Sequence, residues 1–358
     1  MRVLLTIFLV IATFTTCVAV APSLSLTVST PLAKTNADNL FIKVTVTNTG
    51  LETVKLLNDP SSVLSDWRTN SFSIKSNGGM PSFTGIRVKY SPELALKLGG
   101  ESTFTVLAPG ESFQMTHDLA GVYNFTSSGT GDYKTYLIKF SANNIFQYVD
   151  AKGQLGVVTA DTQSSKFEMG GALVSFKHSD QHHARGITRR AFGYTYCSQA
   201  SQAAIRAAVV SANAYVAESI GYLERLTRGT PRYTAWFGII TQARWQTVRT
   251  NFRNMWADAS STTYDCTCTR RDIYAYVYQN RPGYIYLCGA FWDAPNVGEN
   301  SRAGTIVHEQ SHFLINGGTR DHAYGHYAAR GLGRSSPGGA VNNADSYEYF
   351  AENSPPLL

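Results

Sequence analysis

After residue 190 this 358-residue sequence contains no lysine. Residues 1–190 hold 11 lysines and 6 arginines, and residues 191–358 hold 14 arginines, which completes the total of 31 basic residues. Average usage would place on the order of ten lysines in a segment of that length. A general arginine bias does not account for the gap, because the first half prefers lysine. Charge is sparse as well: 16% of residues are charged, the formal net is +6, and the cations form no dense run. That pattern argues against a nucleic-acid-binding protein. No apolar stretch beyond the first 21 residues is long enough to span a bilayer, so no membrane-embedded segment is expected. Cysteine is rare, five in all, and Cys17 lies in the N-terminal leader.

That leader, MRVLLTIFLVIATFTTCVAVA, begins with Arg2, continues through an apolar core and ends on Ala19-Val20-Ala21. It reads as a secretory signal peptide over residues 1–21, with a secreted, extracellular product. The four remaining cysteines, Cys197, Cys266, Cys268 and Cys288, then suggest two disulfides. Cys266 and Cys268 are one residue apart in YDCTC, and a bond between them would close a strained ring. Each is therefore expected to pair with one of Cys197 and Cys288, which leaves two connectivities. The C-x-C spacing and the secretory context disfavour a four-cysteine zinc site.

Residues 22–175 read as an all-β unit: LSLTVST, LFIKVTVTNTG and TYLIKFSA alternate or run in β-branched and aromatic residues between turn signals such as SNGGMP. Several short strands so spaced point to a sandwich-like domain, and Asn124-Phe125-Thr126 is a glycosylation sequon. Residues 176–190 are polar, carry His182 and His183, and end in Arg189-Arg190. This is expected to be a processing linker cut by a separate dibasic-specific protease, making 22–175 a pro-region. Residues 191–358 read as α-dominated α+β: an Ala-rich helix near 198–226, a second over TQARWQTVRTNFRNMWADAS, a hairpin around NRPG, a helix carrying HEQSH, and helical stretches at 322–332 and 340–353.

In HEQSH, His308 and His312 are four residues apart and share a helix face, where two imidazoles can reach one Zn²⁺. Glu309 stands beside them as a candidate general base. Such a site needs a third ligand. The spacing of Ile315 and Gly318 after His312 rules out the metzincin pattern. Glu348 and Glu352 are candidates from a later helix, Asp321 from across the INGGT turn, and His322 and His326 from the segment after it.

HEQSH followed by GTRDHAYG resembles the aspzincin signature, HExxH then GTxDxxYG, with every fixed position present. The resemblance extends over 191–358; TPRYTAWFG, YDCTC, YLCGAFW and NNADSYEYFAEN are similar to the peptidyl-Lys metalloendopeptidase branch of that family. It implies a zincin-like catalytic domain with one zinc on His308, His312 and Asp321 and the fourth coordination position open to water. It implies Glu309 as general base and Tyr324 as hydrogen-bond donor to the oxyanion.

Asp345 and Glu348, three apart in a helical stretch, share a face. In the resembled branch an acidic residue at the position of Asp345 receives a substrate lysine, and Glu348 also matches an acidic position. One such pair at 4 Å is worth about 4 kcal/mol at an effective dielectric of 20, before desolvation. An extracellular enzyme that cuts at lysine gains resistance to self-digestion by having none, which agrees with the lysine-free second half. The expectation is a secreted, monomeric zinc endopeptidase, made as a preproprotein, that cuts lysine-containing protein or peptide substrates on the amino side of lysine. The alternatives are a broader deuterolysin-like endopeptidase and a non-catalytic secreted binding protein; the intact Glu309 argues against the latter.

Overall fold

The computed structural model describes residues 21–31, 35–76, 79–126, 136–175, 177 and 191–357. The signal-peptide and dibasic-linker expectations, with His182 and His183, fall on residues outside that set. No helix among the described residues is long and apolar enough to cross a membrane.

Strands dominate the first half. Leu24–Ser29, Phe41–Asn48 and Ser112–Asp118 form three strands of one sheet with Asp161–Thr162. Leu155–Thr159, Ile145–Val149, Val54–Leu57 and Phe104–Leu107 form another. Phe72–Ser76 pairs with Tyr136–Ala142, which pairs in turn with Ser165–Met169. In Phe41–Asn48, Ile42, Val44 and Val46 are buried and their neighbours are more open, as a period of two requires. With Leu26, Leu56 and Phe146 they make one core. The segment is not purely β, however. Helix α1, Pro92–Leu98, starts at Ser91, whose side chain accepts from the Leu94 N–H.

The second half is mainly helical. It contains α2 (Gln199–Arg225), α3 (Pro231–Phe237), α4 (Gln242–Asn254), α5 (Gly289–Asp293), α6 (Arg302–His312), α7 (His326–Ser335), α8 (Pro337–Val341) and α9 (Ala344–Glu352). The Ala-rich face of α2 supplies Ile205, Ala208, Ala212 and Val216 to a core with Val248, Phe252, Ile306, Val307 and Phe350. The expected hairpin is present, with Ile273–Tyr278 antiparallel to Tyr284–Leu287. Disulfides join Cys197 to Cys266 and Cys268 to Cys288, which resolves the two open connectivities.

One sheet crosses the boundary between the halves. Its order is Gly193–Thr195, Thr263–Asp265, Tyr284–Leu287, Ile273–Tyr278, Ile86–Tyr90. The last strand comes from the first half and pairs antiparallel with Ile273–Tyr278, with a register irregularity between Ile273 and Ala275. An edge strand left bare would expose unpaired backbone groups, and Ile86–Tyr90 covers them. All five of its residues are buried, including Arg87 and Lys89.

Candidate metal centre and active site

Helix α6 carries the histidines. The Ser301 side chain caps it by accepting from the Gly304 N–H, and Glu352 accepts from the Ser301 backbone and hydroxyl. Every residue from Ala303 to His312 is buried. Behind it the chain reverses through Gly318, whose φ of +60° suits glycine. The following loop is stapled to the start of α9: Arg320 donates to the Asn342 carbonyl, Ala344 donates to the Arg320 carbonyl, and the Asn343 side chain accepts from His322 and Ala323. This brings Asp321 back over α6.

Three donor atoms converge there. His308 Nε2 and His312 Nε2 are 3.1 Å apart, and Asp321 Oδ1 lies 3.3 Å from the first and 3.2 Å from the second. A tetrahedral ion with ligand bonds of 2.0–2.1 Å has ligand–ligand edges of about 3.3–3.4 Å, so the triangle has the size such an ion needs. The tautomers agree. His312 Nδ1 faces the Thr319 carbonyl at 2.9 Å and His308 Nδ1 faces Asp345 Oδ1 at 2.8 Å. The Thr319 carbonyl thereby engages His312 Nδ1, while His308 Nδ1 lies against the two carboxylates without a hydrogen bond; with the protons on the Nδ1 atoms, both Nε2 atoms face one spot. Asp321 Oδ1 is buried without a hydrogen-bond donor. Two lone pairs and an unsatisfied carboxylate oxygen facing one another call for a cation.

Glu309 is also buried. Its Oε1 accepts from the Lys89 N–H at 3.2 Å, and its Oε2 has no hydrogen-bond partner. Burial pushes its carboxyl well above the ordinary range against the opposing pull of His308. Burial by itself would raise Asp321 too, but the two imidazoles overcome it and hold this carboxylate below its usual range. Tyr324 is half-buried, with its ring edge-on to Tyr90 at 5.8 Å. Burial holds its phenol well above the usual range, so it stays a donor.

The aspzincin family model, described as lysine-specific metallo-endopeptidase, matches residues 222–352. The peptidyl-Lys metalloendopeptidase of Grifola frondosa is 46% identical over 341 residues, covering 94% of this chain and 95% of that protein. The chain belongs to the aspzincin metalloendopeptidases. The peptidyl-Lys metalloendopeptidase of Armillaria mellea is 44% identical over 341 residues, covering 94% of each. A solved zinc peptidase from Grifola frondosa matches with 52% identity and a TM-score of 0.45, over 45% of this chain and all of that one. The protein is thus a zinc metalloendopeptidase.

The other candidate ligands of this aspzincin lie elsewhere. Glu352 caps α6, His322 is exposed, and His326 packs edge-on against Trp236 at 4.6 Å. Glu348 sits on the Nδ1 side of His308, with Oε2 at 3.2 Å, away from the converging Nε2 atoms. Asp345 is beside it, and its Oδ2 accepts from the Gly325 N–H at 2.6 Å. Between these two carboxylates lies the Lys89 ammonium, 3.2 Å from Asp345 Oδ1 and 2.7 Å from Glu348 Oε2. It also stands 5.6 Å from the Tyr274 ring and 5.1 Å from the Tyr349 ring. Burial lowers the proton affinity of this amine, but Asp345 and Glu348 outweigh it and keep the charge. Beside Asp321 a cavity of 390 Å³ opens between the halves, lined by Asp59, Asn143, Arg87, Arg320 and Tyr324 among others.

Sequence reasoning missed Lys89, Thr319, Tyr274 and Tyr349. Thr319 was within reach, since it belongs to the GTRD run that follows the helix. Nothing in the sequence marked the other three.

Proposed function

We propose that this endopeptidase hydrolyses Xaa–Lys bonds, receiving the lysine between Asp345 and Glu348. The observation that carries this reading is the dry acidic pocket, which holds an ammonium between two carboxylates and two tyrosine rings. The same two carboxylates touch the outer nitrogen of His308, so the ammonium lies one imidazole away from the reacting centre. A neutral side chain placed there would leave both carboxylates buried and unpaired, and selectivity follows from that penalty.

His308, His312 and Asp321 hold the zinc, which when bound supplies Lewis acidity to water and to the peptide carbonyl. Glu309 takes a proton from the attacking water and delivers it to the leaving lysine nitrogen. Tyr324 donates to the oxyanion that forms at the former carbonyl. The chain is made as a secreted preproprotein. Its leader is removed, and a separate protease cuts at Arg189-Arg190 to release a monomeric catalytic domain starting near Ala191. The names of the Grifola and Armillaria relatives support the lysine preference.

The test is to digest a denatured protein with the processed enzyme and sequence the new N-termini. Lysine is expected at nearly all of them, and a majority of other residues overturns the assignment.

A further inference from the structure

The Ile86–Tyr90 strand raises a problem of its own. IRVKY alternates apolar and cationic residues, the pattern of a strand with one solvated face, yet Lys89 has no exposure at all. A lysine is rarely buried unless it is matched, and here every group that matches it belongs to the other half of the chain.

We propose that this strand occupies the catalytic cleft as a substrate does, with Lys89 in the place of the lysine that the enzyme selects, so that the uncut chain blocks its own active site. The inference rests on the proposed reading of Asp345 and Glu348 as the lysine pocket. Its own support is the coincidence of side chain and main chain at one residue. The Lys89 ammonium fills the acidic pocket while the Lys89 backbone N–H donates to Glu309. In an Xaa–Lys bond that nitrogen is the leaving amine, and Glu309 is the group that protonates it. Val88–Lys89 therefore lies where a scissile bond belongs.

The flanking contacts continue the same track. Val88 pairs with Tyr276 and Arg87 with Val277 along the Ile273–Tyr278 edge, in the manner of an added strand. Arg87 reaches Gln279 Oε1 at 3.4 Å on one side, and Tyr90 meets the Tyr324 ring on the other. The occupant is anchored at both ends. The Ile86 N–H donates to the Arg68 carbonyl, and Tyr90 is followed at once by Ser91, the cap of α1. Hydrolysis of Val88–Lys89 would not by itself release it. The lysine asymmetry of the sequence fits this arrangement: only the first half can supply such a residue.

The zinc-loaded, unprocessed full chain tests the idea on a peptide containing a single lysine. Wild type, Lys89→Met, Lys89→Arg and the exposed control Lys43→Met are compared before and after cleavage with a dibasic-specific protease. Wild type and Lys43→Met are expected to be latent. Lys89→Met should raise the rate before cleavage about tenfold or more, because the cleft is open in a larger fraction of molecules; Lys89→Arg should raise it less. The inference is overturned if Lys89→Met, fully active once cut, stays within about twofold of wild type beforehand. Should Lys89→Met fail to fold, the cut wild-type enzyme is challenged with blocked Ile-Arg-Val-Lys-Tyr and Ile-Arg-Val-Met-Tyr peptides. The lysine peptide is expected to compete at least about tenfold more tightly, and equal competition overturns the inference. If the cut enzyme is active but does not cleave before lysine, the lysine-pocket assignment has failed instead, whatever the latency result.

Discussion

Glu309 is the residue on which the proposed chemistry turns, because it combines burial, an unpartnered oxygen and a contact to the Lys89 backbone N–H. Glu309→Gln keeps the size and shape and removes the base. The turnover rate should fall by about 10²–10⁴-fold, with zinc content unchanged by metal analysis. Tyr324→Phe removes one hydroxyl and should lower kcat by about 10²–10³-fold with little change in KM, as expected for a donor used only in the transition state. A kcat within a few-fold of wild type for Glu309→Gln removes it from the mechanism. At this scale the sequence was readable where the geometry is local. His308 and His312 share a helix face by spacing alone, whereas Asp321 was separated from His322 and His326 only by resemblance. The Asn342–Ala344 staple that fixes the Asp321 loop depends on a segment twenty residues away.

Helix α6 carries a rigid site because its start is locked. Glu352, from α9, accepts three donors at that start: the Asn300 and Ser301 N–H groups and the Ser301 hydroxyl. This explains a glycine inside the helix. A Cβ at Gly304 would lie 2.0 Å from Glu352 Oε1. Helix propensity favours Gly304→Ala by about 1 kcal/mol, but the clash and the broken cap oppose it, at roughly 1–3 kcal/mol for overpacking and about 1 for the cap. Net destabilisation is expected, read as a lower thermal midpoint. A higher midpoint would mean that Glu352 does not constrain the helix. Element types were legible because each rests on periodicity within one segment: the Ala-rich α2, the NRPG hairpin and the HEQSH helix all stand where their patterns lie. The expectation of an all-β first half did not allow for α1, where Ser91-Pro92 gives a short helix its cap and first turn.

For the molecule as a whole, the two disulfides join segments that follow the strands Gly193–Thr195, Thr263–Asp265 and Tyr284–Leu287 of the shared sheet. Cys268–Cys288 closes a loop with a sequence separation of 20 and ties the segment before Ile273 to the end of Tyr284–Leu287. Loss of this loop closure through Cys268→Ser with Cys288→Ser should cost about 3 kcal/mol. Denaturant unfolding checks the figure, and an unchanged midpoint removes the bridge from the stabilising set. The halves are joined just as closely through Ile86–Tyr90, which completes a sheet that neither half completes alone.

The sequence by itself determined most of the elements, the HEQSH helix, the number of disulfides and, through the GTRDHAYG run, the family. These are properties of neighbours in the chain, where spacing fixes which side chains share a face. Only the tertiary structure decided which cysteines pair, that Glu348 stands on the outer side of His308, and that Lys89 fills the acidic pocket. Lys89 meets Glu309 across 220 residues and Asp345 across 256. No local pattern encodes a contact at that separation, because it is settled when two independently patterned halves bury one strand between them.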